Sequence, residues 1–202
     1  MLSQSVASAL REAISAGEFQ PGERLSEVKA AERFNCSRNT LRESFTRLAA
    51  ERIVERIPNR GVFLAMPDAD YIRDLFAARA AIEPAAVRWG AFADAPSLVT
   101  LTSSAFDYAA RGEHQEVSAI NQRFHRTLVA ALGSPTLNEQ MDNLLARMRL
   151  TFLLAIPRYP QLHADHIQGN ITLATLIADG KRDEAATLAH DSLMNTCGKI
   201  LA

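Results

Sequence analysis

From Asp68 to the C-terminus the chain carries no convincing β-prone run, and its apolar residues fall at helical spacing between regular breakers. Breaks at Pro96, Gly112, Gly133-Ser134-Pro135, Pro157 to Pro160 and Gly180 divide this region into six expected helices. These span roughly 68–92, 96–111, 114–132, 135–156, 160–179 and 182–201. A run of amphipathic helices with short connections buries its apolar faces as a packed bundle.

The N-terminal third has a different pattern. Val6, Leu10 and Ile14 place a helix over residues 4–16, and Gly17 and Pro21-Gly22 end it in a turn. Ser26 is placed to cap a second helix running to Phe34, and Asn35 suits the left-handed geometry that would close it. Ser37 is placed to cap a third helix through Glu51, with Leu41, Phe45 and Leu48 as its apolar stripe. The stretch IVERIPNRGVFLA then reads as a β-hairpin with a four-residue turn at Pro58-Asn59-Arg60-Gly61. Three helices followed by a hairpin make the plan of a winged helix-turn-helix. The expected fold is therefore mainly α. A winged helix-turn-helix occupies residues 1–66 and an all-helical bundle residues 67–202, with the boundary near Met66-Pro67.

Composition narrows the function. Apolar residues make up 48% and charged residues 22%, an ordinary globular balance, and no apolar run has the length of a membrane span. Arg11 and Glu12 interrupt the N-terminal stretch MLSQSVASALREAIS, which does not read as a signal peptide. Cys36 and Cys197 are isolated and read as reduced thiols, so a cytoplasmic location is expected. The net charge of −1 conceals an asymmetry. Residues 1–65 hold ten Lys/Arg against eight Asp/Glu, and between Arg38 and Arg60 six arginines stand against three glutamates. Such local basicity permits nucleic-acid binding without establishing it, since a solvated helix face would look the same.

The third helix supplies the chemistry. With Leu41, Phe45 and Leu48 facing the core, Arg38, Asn39, Arg42 and Thr46 occupy the outer face. Arg can pair bidentately with guanine and Asn with adenine. Ser37 and Thr40 can hold phosphates at the helix N-terminus, and Asn59, Arg60 and Gly61 form a tip able to enter a minor groove or meet a phosphate. Over about 45 residues this region resembles the DNA-binding domain of the GntR family of bacterial regulators. The resemblance rests on Pro21-Gly22, Ser37-Arg38, Arg42-Glu43 and Pro58 to Gly61. Asn39-Thr40 stands where Thr-Pro is common, and Asn35 and Cys36 where Gly and Val are. These departures bear on which operator is read.

The helical region resembles the FCD domain of the FadR-like branch of that family. Arg79 and Glu83 match an Arg-x-x-x-Glu in its first helix, and INQRFHRTLVAALGSPTL matches a segment that usually carries Asp-x-x-Phe-His and Gly-Asn-Pro. Many members hold a divalent metal there through one Asp and three His, positions that fall here on Asn121, His125, Asn170 and Ser192. Only the histidine is retained. One imidazole, two amides and a hydroxyl lack the anionic ligand that offsets cation desolvation, so no metal or other cofactor is expected. A shifted metal site using His125 and His166 is the alternative. His114, His163 and His190 are expected to face outward. His125 reads either as a hydrogen-bonded interior histidine or, with Asn121, Asn170 and Ser192, as the lining of an organic-ligand pocket. Arg79 shares a face with Ile72, Phe76 and Glu83, and reads as an ion pair with Glu83 or as an anchor for a ligand carboxylate. Arg149 is a weaker candidate for that anchoring role.

The resulting expectation is a ligand-responsive transcriptional regulator, a repressor of a metabolic operon. It binds double-stranded, palindromic operator DNA as a homodimer and responds to a small organic effector, a carboxylate among the candidates. A metal-responsive regulator is the alternative. An enzyme is disfavoured, because neither a nucleophile–base pair nor a Gly-rich phosphate loop is evident.

Overall fold

The computed structural model describes residues 2–160 and 162–202. The chain divides into two compact units, the first running to Asp68 and taking in Leu145–Leu154, the second comprising Ala69–Leu144 and Ala155–Ala202.

In the first unit, Val6, Leu10 and Ile14 of α1 (Leu2–Ser15) are all buried, as are Leu41, Phe45 and Leu48 of α3 (Arg38–Ala50). The two helices pack together. Burying each such side chain stabilises the fold by about 1.5–3 kcal/mol. Arg11 fastens α1 to the end of α3, with Nε 3.0 Å and Nη2 2.8 Å from the carboxylate of Glu51. Between them in sequence comes α2 (Glu27–Arg33), whose cap is Ser26, its hydroxyl accepting from the Lys29 N–H. Asn35 closes the turn before α3 at φ +45°, in the left-handed region where Asn is tolerated.

The hairpin forms from β2 (Val54–Ile57) and β3 (Gly61–Leu64), with two differences from expectation. Ile57 pairs directly with Gly61, so the connection holds three residues rather than four. Gly61, at φ +112°, completes the last strand pair where a side chain would be strained, and Asn59 turns the chain at φ +60°. A short strand β1 (Arg24–Leu25) also joins β3, giving the order β1-β3-β2. Two residues are too few to display the alternation by which a strand is recognised in sequence.

The remaining six helices are α4 (Ala69–Trp89), α5 (Ala95–Ala110), α6 (His114–Ala130), α7 (Pro135–Ala155), α8 (Leu162–Ala178) and α9 (Arg182–Leu201). They follow the six expected stretches closely, and the fold is mainly α as read. In the second unit, Phe124 and Leu128 of α6 pack with Leu173, Ala174 and Ile177 of α8, Val87 of α4 and Ala185, Ala186 and Ala189 of α9. The small residues of α9 bring it close against α4. Arg88 pairs with Asp183 at 2.9 Å, and Arg182 Nη1 donates to the Val87 carbonyl at 2.9 Å. Along α7 every residue from Leu144 to Phe152 is buried, Arg147 and Arg149 included.

Candidate functional site

The caps and stripe of α3 decide which side chains face outward in the first unit. Ser37 Oγ accepts from the Thr40 N–H at 3.1 Å and lies 2.8 Å from Thr40 Oγ1, so the two hydroxyls fix the helix start. Arg38, Asn39, Arg42 and Thr46 are all exposed. Glu27 of α2 grips Arg42, with Nε 3.1 Å from Oε2 and Nη2 3.1 Å from the same oxygen. This contact raises the Arg42 pKa further above its already high ordinary value. Thr46 Oγ1 donates to the Arg42 carbonyl at 2.9 Å and lies 3.1 Å from Arg56 Nη1. Arg56 of β2 thereby joins the α3 face. Sequence reasoning counted Arg56 among the arginines of this segment but had no register to place it beside Thr46. At the hairpin tip, Asn59, Arg60 and Gly61 are exposed, and the Arg60 guanidinium lies over the Phe63 ring, 5.6 Å from its centroid.

The second polar constellation lies inside the helical unit. One turn separates Arg79 from Glu83 on α4, and both side chains are 1% exposed. Arg79 Nε donates to Glu83 Oε1 at 2.6 Å, and the other carboxylate oxygen lies 2.6 Å from Nδ1 of the buried His125 on α6. Burial alone would raise the Glu83 carboxyl, but Arg79 and His125 outweigh it and hold it at about 2. Glu83 is thus an anion, and His125 donates its Nδ1 proton to it. Arg79 Nη2 is buried without a hydrogen-bond partner. One turn before His125, Asn121 Oδ1 accepts from Asn170 Nδ2 of α8 at 2.7 Å. Ser192 is half-buried on α9, and no hydrogen bond of its hydroxyl joins the cluster among the described residues.

Comparison with known proteins adds to this geometry. Residues 2–64 match the model of bacterial regulatory proteins of the gntR family, and residues 74–194 match that of the FCD domain. A crystal structure of a GntR transcriptional regulator from Rhodococcus sp. RHA1 is 30% identical, covers 98% of this chain and 97% of its own, and superposes with a TM-score of 0.82. The chain belongs to the GntR family and carries an FCD domain. The Nta operon transcriptional regulator of Aminobacter aminovorans is 29% identical over 177 residues, spanning 85% of this chain and 82% of that protein. The galactonate operon transcriptional repressor of Escherichia coli strain K12 is 28% identical over 160 residues, 67% of this chain and 69% of that one. This protein is therefore a transcriptional regulator with a GntR helix-turn-helix and an FCD effector domain.

The metal that many FCD domains hold does not suit the residues here. Asn121 and Asn170 turn their amides on each other, and His125 is the lone imidazole of the set. No group of three His, Cys, Asp or Glu able to hold a metal occurs among the described residues. His190 points outward with Nδ1 3.0 Å from Asp191, His114 is exposed, and the side chain of His163 lies outside the described residues. His166 is half-buried on α8.

Arg149, read on sequence as a weaker candidate for anchoring a ligand carboxylate, lies on α7 and is buried. It belongs to the first unit, where its guanidinium lies so close to Gly17 that a Cβ there would stand 2.2 Å from Nη2. The structure brings together Arg79, Glu83 and His125, with Asn121 and Asn170 adjacent. Glu83, first read only as a partner of Arg79, proves to be the hub. Its spacing to His125 spans 42 residues, and no local pattern encodes that contact.

Proposed function

We propose that this protein is a repressor of a metabolic operon that binds a palindromic operator as a cytoplasmic homodimer and responds to a small organic acid. Residues 1–66 carry DNA binding, and residues 67–202 carry dimerisation and effector recognition. Arg38, Asn39, Arg42 and Thr46 read base edges, Ser37 and Thr40 lie near phosphates, and Asn59, Arg60 and Gly61 contact the backbone or minor groove. A symmetric dimer matches two half-sites related by the same two-fold axis.

The observation that carries the effector assignment is Arg79. A guanidinium that is 1% exposed, with Nη2 unsatisfied, is costly unless an acceptor reaches it. A carboxylate suits it in charge and planar geometry. Asn121, His125, Asn170 and Ser192 supply polar donors and acceptors for the rest of the molecule. The name of the galactonate operon repressor supports this class, since galactonate is a hydroxylated carboxylate. An enzymatic role is not proposed, since the relatives that the chain resembles are transcriptional regulators.

Two measurements test the reading. Gel-shift titration against the DNA upstream of its own gene should give specific, saturable binding that a bound acid weakens. A thermal-shift screen should show carboxylates raising the melting temperature of wild type and not of folded Arg79→Ala. Equal stabilisation of both proteins would remove Arg79 from the site.

A further inference from the structure

Arg42 is exposed on the outer face of α3, yet its guanidinium is held in one place. Glu27 takes it by one edge: Nε lies 3.2 Å from Oε1 and 3.1 Å from Oε2, and Nη2 lies 3.1 Å from Oε2. The grip joins two helices and is set from the α2 side. Glu27 is the first residue of α2, directly after the Ser26 cap, where a helix N-terminus favours an anionic side chain. Arg38, one turn earlier on the same face of α3, forms no ion pair among the described residues.

The geometry leaves Arg42 a particular use. A guanidinium has five N–H donors in a fixed fork. The carboxylate occupies the Nε hydrogen and one on Nη2, which leaves the Nη1–Nη2 end with a pair of parallel donors. The O6 and N7 of guanine are a matching pair of acceptors. A phosphate can accept the same pair, but it brings a second negative charge up to Glu27 and is repelled. An uncharged base edge meets far less of that repulsion. The pair also sums to zero charge, so Arg42 adds little to the long-range attraction that any stretch of DNA exerts.

We propose that Glu27 is a positioning residue for DNA reading: it orders the free end of Arg42 for a base edge and withholds that arginine from phosphates. Glu27 then sets how strongly the operator is preferred over other DNA. The proposal rests on the reading that Arg42 contacts base edges. Its cost is a weaker grip on DNA in general, and its gain is a long side chain ordered before the operator arrives.

Fluorescence anisotropy of the full chain tests this on two duplexes, the sequence that wild type enriches from a randomised pool and a scrambled version of it. The readout is the ratio of the two affinities. Glu27→Gln should tighten binding to scrambled DNA and steepen its salt dependence by about one. The ratio should fall about three- to tenfold, the penalty for ordering one long side chain on binding. In the Arg42→Ala background the same substitution should leave the ratio unchanged, whereas in the Arg38→Ala background it should lower it as in wild type. Glu27→Ala serves the same comparison if the amide impairs folding. A wild-type ratio in Glu27→Gln, with Arg42→Ala still lowering it, overturns this proposal alone. An equal loss of ratio with and without Arg42 overturns it too, because Glu27 would then act through another group. If Arg42→Ala keeps the wild-type ratio, or wild type enriches no sequence, the base-reading assignment and this proposal fall together.

Discussion

Arg38 and Arg42 lie one turn apart on the same exposed face, yet their surroundings differ. Arg42 is held by Glu27, whereas no ion pair is formed by Arg38 among the described residues. Arg38→Ala and Arg42→Ala should each weaken specific operator binding by about 1–3 kcal/mol while leaving the melting temperature nearly unchanged. Arg42→Ala also frees the Glu27 carboxylate beside the DNA, so it should weaken non-specific binding too. Gel shifts on operator and scrambled DNA separate the two effects. Glu83 gives a prediction in pH. Its folded-state carboxyl lies at about 2 against an ordinary 4.5, so between these values the unfolded chain binds the extra proton. Its contribution is therefore complete above about pH 4.5 and is lost as pH falls towards 2, by at most about 3 kcal/mol. The stability gap between wild type and Glu83→Gln, followed by urea melts, should narrow over that window. A constant gap would show that the ion pair is not what Glu83 contributes.

At the scale of elements, termini and turns set the geometry of the α3 face. Ser37→Ala removes the cap that accepts from the Thr40 N–H and should cost about 1 kcal/mol. Because that cap also orients the first residues of α3, operator affinity should fall more than for an equally destabilising core change. Gly17 is constrained twice, by φ +81° and by the buried guanidinium of Arg149. Gly17→Ala should destabilise by about 1–2 kcal/mol from the backbone alone, with displacement of Arg149 added, and Gly112→Ala supplies the control. Gly112 has φ +73° but nothing within 4 Å of its added Cβ. The difference between the two variants in chemical denaturation isolates the arginine contact.

For the whole molecule, the basic segment from Arg38 to Arg60 sits in a chain of net charge −1. DNA affinity should therefore be strongly salt-dependent despite the acidic sequence pI of about 6.5. The logarithm of the binding constant should fall linearly with the logarithm of salt concentration, with a slope reporting the phosphates neutralised. A symmetric dimer on two half-sites should give about twice the slope of a single half-site duplex. Equal slopes on full and half operators would argue for one DNA-binding domain engaged at a time.

Much of this was legible from the chain alone. Helix breakers are local, so Pro96, Gly112, Gly133 and Gly180 marked the bundle without help from tertiary structure. The caps at Ser26 and Ser37, the left-handed turn at Asn35 and the outer face of α3 follow from the same short-range rules, as does the burial of Arg79 beside Glu83. Folding decided the rest. Strand β1 exists because β3 offers it an edge, and Arg56 meets Thr46 through hairpin register. Along α7 the pattern says less: periodicity assigns a face only when one side of a helix is solvated, and every residue from Leu144 to Phe152, Arg149 included, is buried. Likewise the bridge from Glu83 to His125 and the amide pair of Asn121 and Asn170 join separate helices. Local pattern tells which side chains turn inward, but which inward groups meet depends on how the helices pack.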